Sequence, residues 1–569
     1  MKEENILERI SRERKQGIAI GSIPEWYTTG GYQMYLEKYQ NKDETVKQAF
    51  HRISNAAAKH LPSNMANEYR VKFFDLMWKG WLAPSSPVMS NMGTNRGCPV
   101  SCSGNYIGDS IYDFYDSELE TAMLTKYGFG TSSYLGDIRP RGSSISIGGT
   151  ASGVIQVVKD YIQLSEHVSQ GNTRRGAWAG YLDIDHGDFF ELADLVAAEP
   201  DGLNIGWNIS DDFIERLNNN DEDAHIRYAR ALKVKCLTGK GYFVFIDRAN
   251  RANPPMYTEN GLKVKASNLC SEIMLHSDSD HTFTCVLSSM NIAKFDEWEG
   301  TDAIFDSTIF LDCVASEFIE MGSQIKGLEK AVRFTEKGRA LGLGTLGFHS
   351  YLQQKEWPYE SFNSFSFNTH LYQQLDEESL RASKYLAELL GEPEWCRGFG
   401  LRNTHRCAIA PNSSSALLCG GVSPSTEPFC ENVFNQTGPA GEIRRINPWC
   451  LNLLKSKGMY NKKTINAIIN DNGSIQGIEG FSDEEKRLGL TAFEIPQEAI
   501  LAMASSRQKY IDQGQSLNLF FDSNAKEEYI AHIHQLAFED KYIKALYYMR
   551  SKAGIQAAKE EDSCLACQG

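Results

Sequence analysis

No apolar run in this chain reaches the length of a membrane-crossing helix, so no membrane partner is expected. The N-terminus, MKEENILERISRERK, lacks the apolar core of a secretory signal. No long Lys/Arg run is present and the net charge is −15, which argues against a basic face for nucleic acid. A small nucleotide pocket needs only a few cations and is not excluded. The thirteen cysteines are scattered singly, without the spacing of a disulfide framework. With no export signal, they are expected to be reduced in a cytoplasm. The glycine-rich stretch from Gly128 to Gly153 lacks both the dinucleotide fingerprint and a P-loop lysine. Cys98 and Cys102 lack a second Cys/His pair nearby, so no metal site is expected there or elsewhere.

What is present is an ordinary globular composition, 41% hydrophobic and 23% charged over 569 residues. That length allows several domains or one large α/β barrel. Residues 1–80 carry apolar residues at helical spacing, from Glu44 to His60 and from Asn67 to Trp81. Ala83–Ser90, with two prolines among hydroxyls, reads as a loop entering a strand. Thr282–Asn291, Gly342–Phe348, Ser516–Phe521 and Lys544–Arg550 read as strands, or a strand-turn for the second, and Ala525–Phe538 as a helix. Residues 430–515 read as a helical excursion broken at Asn470–Gly473.

The chemistry concentrates in Asn268-Leu269-Cys270-Ser271-Glu272. In extended backbone its amide, thiol and carboxyl would share one side. The plain alternative is a loop whose cysteine is a small buried hydrophobe. Ser169–Ala177 is a polar loop with two arginines, which can stack on a base or fork onto phosphate, or simply form a solvated turn. Asn412–Leu418 reads as a helix start whose free N–H groups and hydroxyls suit either a phosphate or a plain cap. The chain ends in Cys564-Leu565-Ala566-Cys567, a spacing suited to reversible dithiol chemistry.

Taken in order, SSPVMS, SCSGNYIGDS, SQGNTRRGA, SNLCSEI, CVLSSMNIA, RALGLGTLGF, APNSSSALL, ALYYMR and CLAC resemble the large, catalytic (alpha) subunit of class I ribonucleotide reductase. The resemblance covers residues 81–569. It implies an α/β fold: a ten-stranded barrel of two five-stranded halves, with a central finger loop. Residues 81–555 would form it, with a helical region (1–80) before it and a flexible redox tail (556–569) after it. No complete N-terminal ATP-cone is expected.

The resemblance also assigns roles. Cys270 would become a thiyl radical, Glu272 a general base and Asn268 a holder of the sugar hydroxyls. Cys102 and Cys285 would be the reducing pair, recharged by Cys564 and Cys567, with thioredoxin or glutaredoxin outside. Tyr547 and Tyr548 would relay the radical from a metal-containing beta (small) subunit, no cofactor being bound in this chain. Substrate diphosphate would lie on Ser86, Ser101 and the Asn412, Ser413, Ser414, Ser415, Ala416 turn. A dNTP or ATP effector would use Asp109, Ser110 and Arg139 at the interface of a homodimer. The loop with Gln170, Arg174 and Arg175 would relay effector identity to the substrate base. The alternative on the same barrel is the adenosylcobalamin-dependent class II enzyme, which lacks the tyrosine relay. A nucleotide-binding regulatory protein is a third, non-catalytic reading.

Overall fold

The structure is a computed structural model and describes residues 6–170, 174–200, 202–438 and 441–551. Helices lead the chain, at Ile6–Ala19, Thr29–Met34, Val46–Ala58 and Ser63–Trp78. Thr45 starts the third with a capping box: its side chain accepts the Gln48 N–H while Gln48 reaches back to its N–H. Ala49, Phe50, Ile53 and Ala57 lie on one stripe of it and are buried in the main core.

A curled sheet follows. Strands Cys102–Tyr106, Gly130–Tyr134, Trp178–Asp183, Asn204–Ile209 and Tyr242–Phe245 run parallel in that spatial order. Phe283–Asn291 pairs antiparallel with Cys102–Tyr106 and parallel with Leu341–Leu346. At the other edge Ala545–Leu546 pairs antiparallel with Tyr242–Phe245. Single bridges link Leu343 to Cys407 and Ile409 to Gln515, and Leu519–Phe521 pairs with Met549–Ser551.

Strand Phe283–Asn291 shows how sequence alternation is spent when both faces are covered. All nine of its residues are buried. Phe283, Cys285 and Leu287 pack with Cys102, Ile273 and Leu275, while Val286 and Met290 join the large core. Outer helices complete that core. Ala303–Gly322 is buried around most of its circumference. No described helix is long and apolar enough to cross a membrane.

Several local expectations change. Ser86–Asn91 is a short helix, because Pro87 falls in its first turn, where a missing N–H costs nothing. The excursion after residue 430 opens with an antiparallel hairpin, Val433–Gly438 with Gly441–Ile446, before its helices. The loop around Gln170 is a two-residue ladder, Ser169 opposite Arg175 and Gln170 opposite Arg174. The late strand is interrupted at Tyr547–Tyr548.

Candidate active site

The residues between the Val264–His276 bridge form an irregular loop that is almost entirely buried. A buried loop is tolerated only if its backbone polar groups find partners. Here they do. Asn208 Nδ2 donates to Lys265 O (2.8 Å), Ser267 Oγ to Ile273 O (2.8 Å) and Gly514 N–H to Glu272 O (2.8 Å). Ser516 Oγ donates to Cys270 O (2.6 Å), and Tyr181 Oη to Asn268 O. Gln513 Oε1 accepts from Met274 N–H (3.1 Å). At Gly514 a Cβ would sit 3.1 Å from Glu272 O, so glycine lets the two segments touch.

Asn268–Glu272 is not extended. Asn268 Oδ1 accepts the N–H groups of Glu272 (3.0 Å) and Ile273 (3.1 Å), folding the segment into a turn with Ser271 at φ 65°. A short polar side chain bonding backbone just ahead of it outcompetes the strand ladder. The same amide's Nδ2 donates to Cys102 Sγ at 3.1 Å.

Cys102 and Cys285 are directly opposite in the antiparallel register. Opposed Cα atoms in such a ladder lie about 4.5–5.5 Å apart, within the range a disulfide spans. The described cysteines stand as thiols. Burial pushes the Cys285 thiol well up, and a hydrogen bond from Gln513 Nε2 (3.4 Å) opposes that shift. Gly342 borders the sulfur; a Cβ there would lie 3.0 Å from it and 2.3 Å from Leu287.

Cys270 shares an apolar cluster with Tyr181, Tyr242 and Tyr547, with Tyr548 packed against it. Ring centroids of Tyr547 and Tyr548 are 4.1 Å apart; Tyr242 lies 4.7 Å from the first and 5.3 Å from the second. Lys235 Nζ donates to the carbonyls of Tyr547 and Gly241, and burial lowers its pKa to about 7.

Elsewhere the expected residues separate into groups. Asn412, at φ 55°, opens the helix Ser413–Leu418 and donates to Ser289 Oγ (2.7 Å) and Thr345 O (3.1 Å). Ser414, Ser415 and Ala416 are buried and Ser413 is exposed. Ser86 Oγ bonds Tyr39 Oη (2.8 Å). The hydroxyls of Ser85, Ser101 and Ser288 are buried without a hydrogen-bond partner. Asp109 accepts from the N–H and Nε of Arg139 (3.2 and 2.6 Å), and Ser110 caps the helix Ile111–Lys126. Gln170 sits apart from them, donating to Asn91 Oδ1 (3.1 Å) and Arg96 O (3.2 Å). Cys564 and Cys567 lie outside the described residues.

The sequence reading missed Ser516, Gln513, Tyr181 and Tyr242. No local pattern in the sequence singles them out: Asp512-Gln513-Gly514-Gln515-Ser516 is a polar run of mostly surface residue types, and the two tyrosines sit among ordinary strand residues. Two clusters of imidazole and carboxylate groups that the sequence did not single out lie with their ligand atoms within 4.8 Å of one another, His276/Asp278/His281 and His60/Glu317/Glu320. In the first, Asp278 accepts from both imidazoles, and these bonds outweigh burial to hold its carboxyl below the usual range.

Comparison with known proteins gives the family. The family model described as "Ribonucleotide reductase, barrel domain" matches residues 100–231, 228–399 and 393–549. The model described as its all-alpha domain matches residues 26–97. A putative ribonucleoside-diphosphate reductase large subunit of frog virus 3 is 34% identical, over 88% of this chain and 93% of its own. The class Id ribonucleotide reductase alpha subunit of Actinobacillus ureae superposes with a TM-score of 0.86 at 38% identity, covering 93% of this chain and 98% of that one. A vitamin B12-dependent ribonucleoside-diphosphate reductase of Thermoplasma acidophilum is 27% identical over 86% of this chain and 66% of its own. This chain therefore belongs to the class I ribonucleotide reductases, as a large catalytic subunit.

Proposed function

We propose that Cys270, Glu272, Asn268, Cys102 and Cys285 carry the reduction of a ribonucleoside diphosphate. The observation behind this reading is the single amide of Asn268, which ties the Cys270 turn to a cysteine whose strand partner is another cysteine. Cys270, as a thiyl radical, takes the 3′ hydrogen. Glu272 accepts the 3′-OH proton. Cys102 protonates the departing 2′-OH, which leaves as water. Cys102 and Cys285 give up two electrons and become a disulfide, their second hydrogen going to C2′. Glu272 then returns its proton to the 3′ oxygen, and Cys270 returns the hydrogen to C3′, regaining the radical.

Ser516 supports Glu272 in this scheme. Its hydroxyl lies 2.6 Å from Cys270 O and 3.0 Å from Glu272 Oε2. One proton serves one acceptor at a time. Once Glu272 is protonated it can donate to Ser516, which then donates to Cys270 O, so proton uptake tightens the turn.

The radical would reach Cys270 through Tyr548 and Tyr547, supplied by a metal-bearing beta subunit. The adjoining tyrosines, with tilted rings 4.1 Å apart in the cluster with Cys270, favour this over a cobalamin source. The partnerless hydroxyls of Ser85, Ser101 and Ser288, with Ser86 and the Asn412–Ala416 turn, suit the substrate phosphates. The diphosphate form follows the frog virus 3 relative's name. Asp109, Ser110 and Arg139 would bind a dNTP or ATP effector at a homodimer interface, with Gln170, Arg174 and Arg175 relaying its identity. Cys564 and Cys567 would reopen the disulfide, recharged by thioredoxin or glutaredoxin in the cytoplasm.

We read the sheet as a closed barrel of two five-stranded halves. Hydrogen bonds Leu343 N–H to Arg406 O, Ile409 N–H to Gly514 O, Tyr547 N–H to Leu517 O and Phe245 N–H to Lys544 O support that closure. Residues 1–80, 81–555 and 556–569 are then helical region, barrel and tail. The test is turnover of the purified chain with a small subunit. Cys270→Ser should abolish reduction and leave nucleotide binding intact; normal turnover of that variant would refute the scheme.

A further inference from the structure

Gln513 uses every polar atom it has inside the sheet. Its Nε2 donates to Cys285 Sγ (3.4 Å) and Leu341 O (2.8 Å), and its Oε1 accepts from Met274 N–H of the buried loop. Its N–H donates to Cys407 O (3.2 Å), and its carbonyl accepts from Lys544 Nζ (2.7 Å) and Gln508 Nε2 (2.9 Å). Such a side chain cannot swing away from the sulfur without breaking several buried bonds. The two cysteines also differ in access: Cys102 is 6% exposed and Cys285 0%.

We infer that Gln513 is a positioning residue that stabilises Cys285 as the leaving sulfur when the Cys102–Cys285 disulfide is reopened, acting together with the greater access of Cys102, which brings an incoming dithiol to that sulfur. This rests on the reading of those two cysteines as the reducing pair. In the step, a thiolate of the dithiol attacks Cys102 Sγ and forms a new S–S bond there. The Cys102–Cys285 bond breaks, and its electron pair leaves on Cys285 as a thiolate. The second thiolate of the dithiol then attacks its own partner sulfur and expels Cys102 as a thiolate. Two protons from the dithiol restore both thiols, so the dithiol is oxidised by two electrons and the pair is reduced by two. A lower-energy leaving thiolate departs faster. The Gln513 Nε2–H is aimed at Cys285, where burial and then Cys102, Glu272 and Asp512 disfavour negative charge. Asn268 Nδ2 offers Cys102 a comparable donor. Access breaks that tie, because only Cys102 has surface for a nucleophile to reach.

The test uses the full chain with Cys564→Ser and Cys567→Ser, so that the tail cannot compete. One turnover with the small subunit and a ribonucleoside diphosphate oxidises the pair. Glutathione, a monothiol, is then added, the mixture is acid-quenched, and the mixed disulfide is located by peptide mass. With Gln513 present, glutathione should be found mainly on Cys102. Gln513→Met and Gln513→Glu should slow opening about tenfold, equivalent to about 1.4 kcal/mol, within reach of a lost hydrogen bond to a charged group. Both should also raise the share trapped on Cys285. Gln513→Glu keeps the volume and the acceptor for Met274 while losing the donors to Cys285 and Leu341 O. Gln513→Met loses the same donors without adding a carboxyl, so a shift of partition shared by both variants reads the lost donor to the sulfur. Glutathione mainly on Cys285 in the parent, or an unchanged rate and partition in the Gln513→Glu protein, would overturn the role of Gln513. Finding no Cys102–Cys285 disulfide after turnover would overturn the reducing pair itself, and this inference with it.

Discussion

Asn268→Ala separates the two tasks of one amide. The wild-type Oδ1 accepts two backbone N–H groups, from Glu272 and Ile273, in a segment with no access to water. Removing it strands both donors. Each unsatisfied buried donor costs about 1–3 kcal/mol, so the turn loses about 2–6 kcal/mol of local stability. At about 1.4 kcal/mol per decade, the Glu272 and Ile273 amides should exchange with solvent about thirtyfold faster even at the lower end. Asn268→Asp keeps the acceptor and loses only the donor to Cys102. Hydrogen–deuterium exchange over the peptide 268–275 should therefore distinguish them, fast for alanine and near wild type for aspartate. Both variants should lose reduction, because both lose the Nδ2 bond to Cys102. Wild-type exchange in Asn268→Ala would show that this side chain does not hold the turn, and the geometric argument for the site would fail with it.

Ser516→Ala removes the donor shared by Glu272 and Cys270 O; kcat should fall about tenfold to a hundredfold, from about 1.5–3 kcal/mol for a hydrogen bond to a charged group, with KM little changed. Steady-state kinetics at wild-type kcat would contradict it. Tyr547→Phe keeps the ring packed against Tyr242 and Tyr548, so melting should hold while turnover stops, because phenylalanine is not oxidised at a comparable potential. Residual turnover near wild type would break the proposed relay. Glu120 is buried with one oxygen bonded by Thr282 Oγ1 (2.7 Å), and burial raises its pKa to about 7. Between pH 4.5 and 7 the unfolded chain releases this proton and the folded one keeps it, so wild-type stability falls as pH rises through that window. Glu120→Gln removes the effect, gaining roughly 3 kcal/mol over wild type at pH 8 and little at pH 5. Denaturation midpoints whose difference does not change between those pH values would refute the assignment.

The cysteines, Asn268, Glu272 and the tyrosine pair could be named from the sequence only as residues of strings that resemble one family. The roles proposed for them come from that resemblance, since each string alone also fits a buried thiol or an ordinary strand. Strand Phe283–Asn291 was legible, since β-branched and aromatic residues in a short run favour a pleated, buried surface. The helix at Ser86–Asn91 and the turn at Asn268 were not, because proline in a first turn and an amide bonding backbone ahead of it both override the propensity of the run.

The chain by itself determined the inventory: which thiols, carboxyls, amides and phenols exist, and which segments coil or extend. Only the three-dimensional arrangement decided that Cys102 faces Cys285, that Gln513 reaches that sulfur from a far later segment, and that Ser516 bridges Glu272 to Cys270. Those pairings depend on the register between strands distant in sequence. Register is set by how the whole sheet buries its two faces, so no local pattern encodes it.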